Sequence, residues 1–177
     1  MAEFGVYVHI PFCRSRCDYC AFATWTDRGQ LVDAYVEAVV TDIRRAVADG
    51  MPVADTVFFG GGTPTLIDPA LIARIIAAIP LSADPEITVE CNPDDVTPEL
   101  MRTYASAGVN RVSIGVQSMV THVLSALGRH HDQSNVEIAV ECARSAGIER
   151  INLDLIYGSV GESLDDWSTT VSAALAL

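Results

Sequence analysis

Tyr7-Val8-His9-Ile10-Pro11-Phe12-Cys13-Arg14-Ser15-Arg16-Cys17-Asp18-Tyr19-Cys20 is a short β-branched strand broken by a proline and followed by a loop that carries three of the chain's five cysteines. Three thiolates in one short loop can hold three irons of a cubane iron–sulfur cluster and leave the fourth open. An open iron is a place where a cofactor or substrate can be bound and given an electron, so the loop reads as a reaction centre. Two other readings stand beside this one. Zinc would need a fourth ligand, and the nearby His9 lies on the strand, where it suits orienting the loop by hydrogen bonding better than binding metal. A disulfide switch needs two cysteines and leaves the third without a role. Tyr19, immediately before Cys20, offers an aromatic face to shield a cluster or meet an adenine.

Outward from this loop, strand-like runs recur at 6–10, 56–59, 87–91, 111–116 and 150–156, each rich in β-branched or aromatic residues. Helical spacing fills the gaps. Leu31, Val32, Tyr35, Val36, Val39, Val40, Ile43 and Val47 form one apolar stripe, stopped by Gly50 and Pro52. Asp68-Pro69 and Thr97-Pro98 each pair an N-cap residue with a proline at the first helical position. Gly108 and Gly147 each close a helix before a strand, 119–127 reads as a short helix, and Asp132 or Ser134 caps the next. Strict alternation of strand and helix predicts parallel pairing with right-handed crossovers, an α/β sheet or incomplete barrel of five βα units. After Ser163, a final helix runs to Leu177 with no stop signal and no strand after it. The expectation is an N-terminal part of a longer protein, cut inside its fifth helix.

Bulk composition narrows the function. The 177 residues are 50% hydrophobic, enough for one well-filled domain. Eleven basic residues against 23 acidic give a net charge of -12, which offers no field for neutralising phosphates and weighs against a nucleic-acid partner. No basic leader and no apolar run of roughly 18 residues is present, so a cytoplasmic protein without a membrane span is expected. Cysteines crowded near one end suit metal chemistry in a reducing compartment, whereas Cys91 and Cys142 read as small buried apolar residues.

Further polar residues fall near strand carboxyl ends, where parallel α/β folds bind ligands. Gly60-Gly61-Gly62-Thr63-Pro64-Thr65 follows the second strand and allows close approach of backbone to a small polar ligand, or forms a tight turn. It is neither a dinucleotide fingerprint nor a Walker loop. Glu90 ends the third strand, Gln117 follows the fourth, Arg129 lies beyond the short helix, and Asp154 is in the fifth strand. A carboxylate suits ribose hydroxyls, and an arginine suits a carboxylate. His130 and His131 read as loop histidines beside Asp132 at a helix start rather than as ligands.

Together these blocks resemble the radical S-adenosylmethionine (SAM) proteins of the oxygen-independent coproporphyrinogen III oxidase group, HemN and HemW. The resemblance runs through YVHIPFC with C-x3-C-x2-C, GGGTPT at 60–65, ECNPDD at 90–95, GVNRVSIGVQS at 108–118, LGRHHD at 127–132 and INLDLIYG at 151–158. It implies a partial (β/α)6 barrel, here about five units, with residues 1–177 as an incomplete radical SAM core domain. It implies a [4Fe-4S] cluster on Cys13, Cys17 and Cys20, and SAM held by Tyr7, Tyr19, Gly61, Gly62, Thr63, Glu90, Gln117, Arg129 and Asp154. In the family, one electron from the cluster cleaves the sulfonium to a 5′-deoxyadenosyl radical. The oxidase resembles C-x3-C-x2-C-x-C, and Phe22 stands where its fourth cysteine would be. That points to the HemW haem-chaperone branch, with haem or porphyrin, a haem-acceptor protein and a reductant protein as partners. The alternatives are the decarboxylating oxidase and, less favoured by charge, a tRNA-modifying enzyme.

Overall fold

The computed structural model describes residues 4–177. Five strands, β1 (Gly5–Ile10), β2 (Ala54–Gly61), β3 (Leu81–Cys91), β4 (Arg111–Gln117) and β5 (Arg150–Leu155), form one parallel sheet in the order of the chain. Because that order never reverses, successive right-handed crossovers lay the helices on a single face, as in a section of barrel wall. The helices are α1 (Val32–Ala48), α2 (Pro69–Ile76), α3 (Pro98–Ser106), α4 (Thr121–Ala126), α5 (Gln133–Ser145) and α6 (Leu164–Leu175).

Local chemistry sets these boundaries. The Asp68 and Thr97 side chains accept from the N–H groups of Ala70 and Leu100, capping α2 and α3 as their Asx/Thr-Pro pairs predict. Asp132 and Ser163 each form a reciprocal capping box, with Asn135 and Asp166 respectively. The third strand begins six residues earlier than its apolar run suggests. Ser82, Asp84 and Pro85 hide it, and Pro85 is tolerated because β4 pairs only from Thr88 onward, leaving the earlier stretch as an edge.

The period-2 pleat divides the sheet into two unlike faces. Val8, Ile10, Val57, Phe59, Ile87, Val89, Val112 and Ile114 turn toward the helices and are buried with Val36, Val40, Ile72, Ile75 and Tyr104. The alternate residues give a polar face. In register, His9 stands opposite Gly60, Glu90 opposite Ser113, and Ser113 opposite Asn152. Nearer the strand starts, Glu86 lies 3.9 Å from Arg111 and 3.4 Å from Arg150. A polar face follows from alternation that sequence inspection of single strands does not show, since each polar residue becomes a row only once register is fixed.

Candidate active site

The cysteine loop is closed at its base by backbone bonds. Trp25 N–H donates to Pro11 O (2.8 Å) and Cys13 N–H donates to Trp25 O (3.1 Å). His9 holds the far side: its Nε2–H donates to Ala23 O (2.9 Å), and Nδ1 accepts from the Tyr7 hydroxyl (3.1 Å). Since a carbonyl can only accept, this pair fixes the tautomer, and His9 orients the loop as expected. A further tie is the ion pair of exposed Arg14 with buried Asp95, 2.7 Å, linking the loop to the turn after β3. Asp95 also accepts from Thr65 and Asn92 (both 3.4 Å).

Gly61 and Gly62 pack rather than turn. Gly61 has φ +109°, and a Cβ there would lie 2.3 Å from the His9 ring; one on Gly62 would lie 2.6 Å from the carbonyl oxygens of Ile10 and Phe12. The space freed by these missing side chains is filled by the chain itself. The N–H groups of Gly61, Gly62 and Thr63 donate to Glu90 Oε2 (3.1 Å), Ile10 O (2.8 Å) and Phe12 O (2.8 Å). The strand β2 thereby continues alongside the start of the cysteine loop and sets Thr63 beside Cys13, its hydroxyl donating to Sγ at 3.6 Å.

One cavity of about 460 Å³ gathers most of the predicted residues. Cys13, Cys17, Cys20, Tyr19, Gly61, Gly62, Thr63, Glu90, Gln117, Arg129 and Asp154 all line it, as do Phe22, Asn92 and Ser113. Tyr7 does not. Its ring stacks on Phe58 with centroids 6.1 Å apart, its hydroxyl bonds His9 Nδ1, and the charge of Glu90 acts on it. Among the described residues, no three His, Cys, Asp or Glu side chains are grouped as a single ion would need. Three soft thiol donors along one wall are a donor set suited to an iron–sulfur cluster, and the cavity volume is that of a small-molecule site.

Electrostatics follow burial. Burial raises the Glu90 carboxyl above the usual carboxylate range, the Gly61 N–H opposes this, and Asp154 adds to it. The Cys13 thiol is raised chiefly by burial, with the hydroxyls of Thr63 and Thr24 pulling it back. Tyr19 is pushed up to about 12, mainly by burial, with Arg129 opposing and Cys17 adding. Asp154 is engaged at both oxygens, by Ser113 Oγ (2.9 Å) and Asn152 Nδ2 (2.6 Å). Gln117, at φ 65°, is the one non-glycine residue with positive φ among those described, a strained backbone at a strand end that faces the cavity.

Arg129 lines the cavity but is tied to neighbouring groups, and one expectation, for His131, needs correction. Arg129 does not present a free fork: its Nη2 bonds Asn92 Oδ1 and Gly115 O (3.0 Å), and its Nη1 lies 3.8 Å from Cys17 Sγ. Asn92 was visible within ECNPDD, but only tertiary contact gives it this task. His131 is no loop histidine of the surface. It is 3% exposed, its Nε2–H donates to Val116 O (2.8 Å), and its Nδ1 has no partner. Burial, then Arg129, lowers its pKa. Ser113 and Asn152 were also missed, because their role depends on cross-strand register.

A sheet of consecutive parallel strands with a cysteine-lined cavity at their carboxyl ends is a partial barrel of the α/β class, and the profile of the Radical SAM superfamily matches residues 7–174; the chain belongs to that superfamily. Its curated relatives include the haem chaperone HemW of Mycobacterium tuberculosis (strain ATCC 25618 / H37Rv), 39% identical over 180 residues, covering 97% of this chain and 46% of that one. HemW of Escherichia coli (strain K12) is 40% identical over 169 residues, covering 92% of this chain and 44% of that one. The solved structure of coproporphyrinogen III oxidase, HemN, from Escherichia coli, a radical SAM enzyme, matches with TM-score 0.89 at 29% identity, covering 98% of this chain and 42% of that one. The chain thus spans about half the length of the curated relatives it matches.

Proposed function

We propose that Cys13, Cys17 and Cys20 hold a [4Fe-4S] cluster, and that SAM lies against Tyr19, Gly61, Gly62, Thr63, Glu90, Gln117, Arg129 and Asp154, with Tyr7 acting from beside the cavity through His9. The observation that carries this reading is the convergence of three thiols from one loop and polar groups from β2, β3, β4 and β5 on a single cavity. When bound, the cluster supplies an electron and the sulfonium cofactor accepts it. The chain's own residues do the rest. Glu90 and Asp154 present acceptors to a ligand's hydroxyls, Tyr19 covers the loop, and the backbone bonds at Trp25 and Gly62 hold the thiols against the sheet.

Residues 1–177 then form the radical SAM core of a haem chaperone-like protein of the cytoplasm, serving haem or porphyrin with a haem acceptor and a reductant protein. Phe22 supports this branch: it is exposed on the cavity rim where the oxidase pattern has a thiol. The second reading, oxidative decarboxylation of coproporphyrinogen III, is favoured by the likeness to HemN. Anaerobic reconstitution of a protein of the relatives' full length that carries this segment separates them. Saturable haem binding without protoporphyrinogen formation supports the chaperone; SAM-dependent protoporphyrinogen formation overturns it. The charge of -12 disfavours tRNA modification, and saturable tRNA binding would revive it.

A further inference from the structure

The three cysteines differ in the donors that face their sulfurs. Cys13 Sγ receives the Thr63 hydroxyl at 3.6 Å, with the Thr24 hydroxyl also acting on it, and Cys17 Sγ faces Arg129 Nη1 at 3.8 Å. Among the described residues, no side-chain hydrogen bond to Cys20 Sγ is formed.

Thr63 and Arg129 are both held in place from several sides. Thr63 N–H is fixed to Phe12 O, one residue before Cys13, and Pro64 keeps Thr63 out of the helical region, at φ -132° and ψ 89°. Its β-branched side chain has few rotamers, so the hydroxyl has little freedom to turn elsewhere. Arg129 is anchored at Nη2 by Asn92 and Gly115, which leaves Nη1 directed at Cys17. Gly128, with φ +69°, lets the chain before Arg129 pass close to Asp18 in the cysteine loop.

We propose that Thr63 and Arg129 donate hydrogen bonds to the sulfurs of Cys13 and Cys17 in the loaded protein, and that these two bonds raise the reduction potential of the cluster. This rests on the cluster ligation proposed above. On reduction by an external one-electron donor the cluster gains one electron and one negative charge, with no bond formed or broken and no proton moved. Donors aimed at sulfur stabilise the more negative state more than the less negative one, which moves the potential upward. Thr63 is therefore a positioning and tuning residue whose hydroxyl serves the cluster.

The test is a dithionite-poised titration, read by EPR, of the anaerobically reconstituted chain in the absence of SAM, comparing wild type with T63V, T63S and R129Q. At a solution potential near the wild-type midpoint, T63V and R129Q each lower the reduced-to-oxidised ratio by roughly threefold, tenfold corresponding to ~59 mV for a one-electron couple. T63S keeps the wild-type midpoint. A midpoint unchanged in T63V and R129Q, at wild-type iron content, overturns the inference and leaves the cluster assignment standing. A T63S midpoint equal to that of T63V also overturns it, since packing would then be the cause. If T63V takes up no iron, pulsed EPR of the reduced wild-type cluster in D2O decides: an exchangeable deuteron coupling lost in T63A and kept in T63S supports the bond, and its absence from wild type overturns it. A wild-type chain that binds no iron at all fails the proposed function instead.

Discussion

Gly61 shows how one residue can serve backbone, packing and chemistry together. Its left-handed φ and the His9 ring 2.3 Å from any Cβ penalise a side chain twice, so Gly61→Ala costs more than about 2 kcal/mol, read as a lower urea midpoint. At Cys17 the consequence is chemical: Cys17→Ser leaves the fold intact by circular dichroism but abolishes retention of reconstituted iron. His131 carries a pH signature. Its folded pKa lies below the unfolded value of about 6.5, so the stability of the neutral ring is present above that pH and is lost as pH falls below it. Between pH 7.5 and 5.5 the urea midpoint of wild type falls more than that of His131→Gln, which still offers an N–H to Val116 O. A fall of equal size in both would refute this role.

Among the elements, β4 and β5 are joined by a side-chain polar network. Asn152 Nδ2 bridges Ser113 Oγ (2.9 Å) and Asp154 Oδ1 (2.6 Å), holding the carboxylate that lines the cavity. Asn152→Ala leaves Asp154 with one protein partner, costs about 1 kcal/mol, and weakens SAM binding measured by calorimetry on the cluster-loaded chain. Helix ends behave more simply. Thr97→Ala removes the cap on Leu100 N–H at about 1 kcal/mol, with no change in iron content, because α3 packs on the face away from the cavity.

For the whole molecule, the decisive feature is a sheet with one apolar and one polar face and two edges. Among the described residues β5 pairs with β4 alone, and Tyr157, Val160, Leu164 and Leu175 are each more than three-quarters exposed in the segments around it. An unpaired strand beside exposed apolar side chains is a template for association. Sedimentation velocity of the chain is expected to show mass rising with concentration, and Val160→Glu with Leu164→Glu to reduce that rise. A single monomeric species of unchanged mass at all concentrations contradicts the expectation. No helix among the described residues is long and apolar enough to cross a membrane.

The amino-acid sequence by itself determined the number and order of the five strands, though not the early start of β3, together with the caps at Asp68, Thr97 and Ser163 and the three-thiol loop, because each rests on chemistry between residues near one another in the chain. It also placed the rim residues, since strand carboxyl ends can be read from local pattern. Tertiary structure alone decided that Arg129 is held by Asn92 and Gly115, that the glycine run receives His9 and the loop carbonyls, and that His131 is buried. Those contacts join residues 14 or more positions apart, from different strands, loops and turns, and the register of the parallel sheet determines which of them meet.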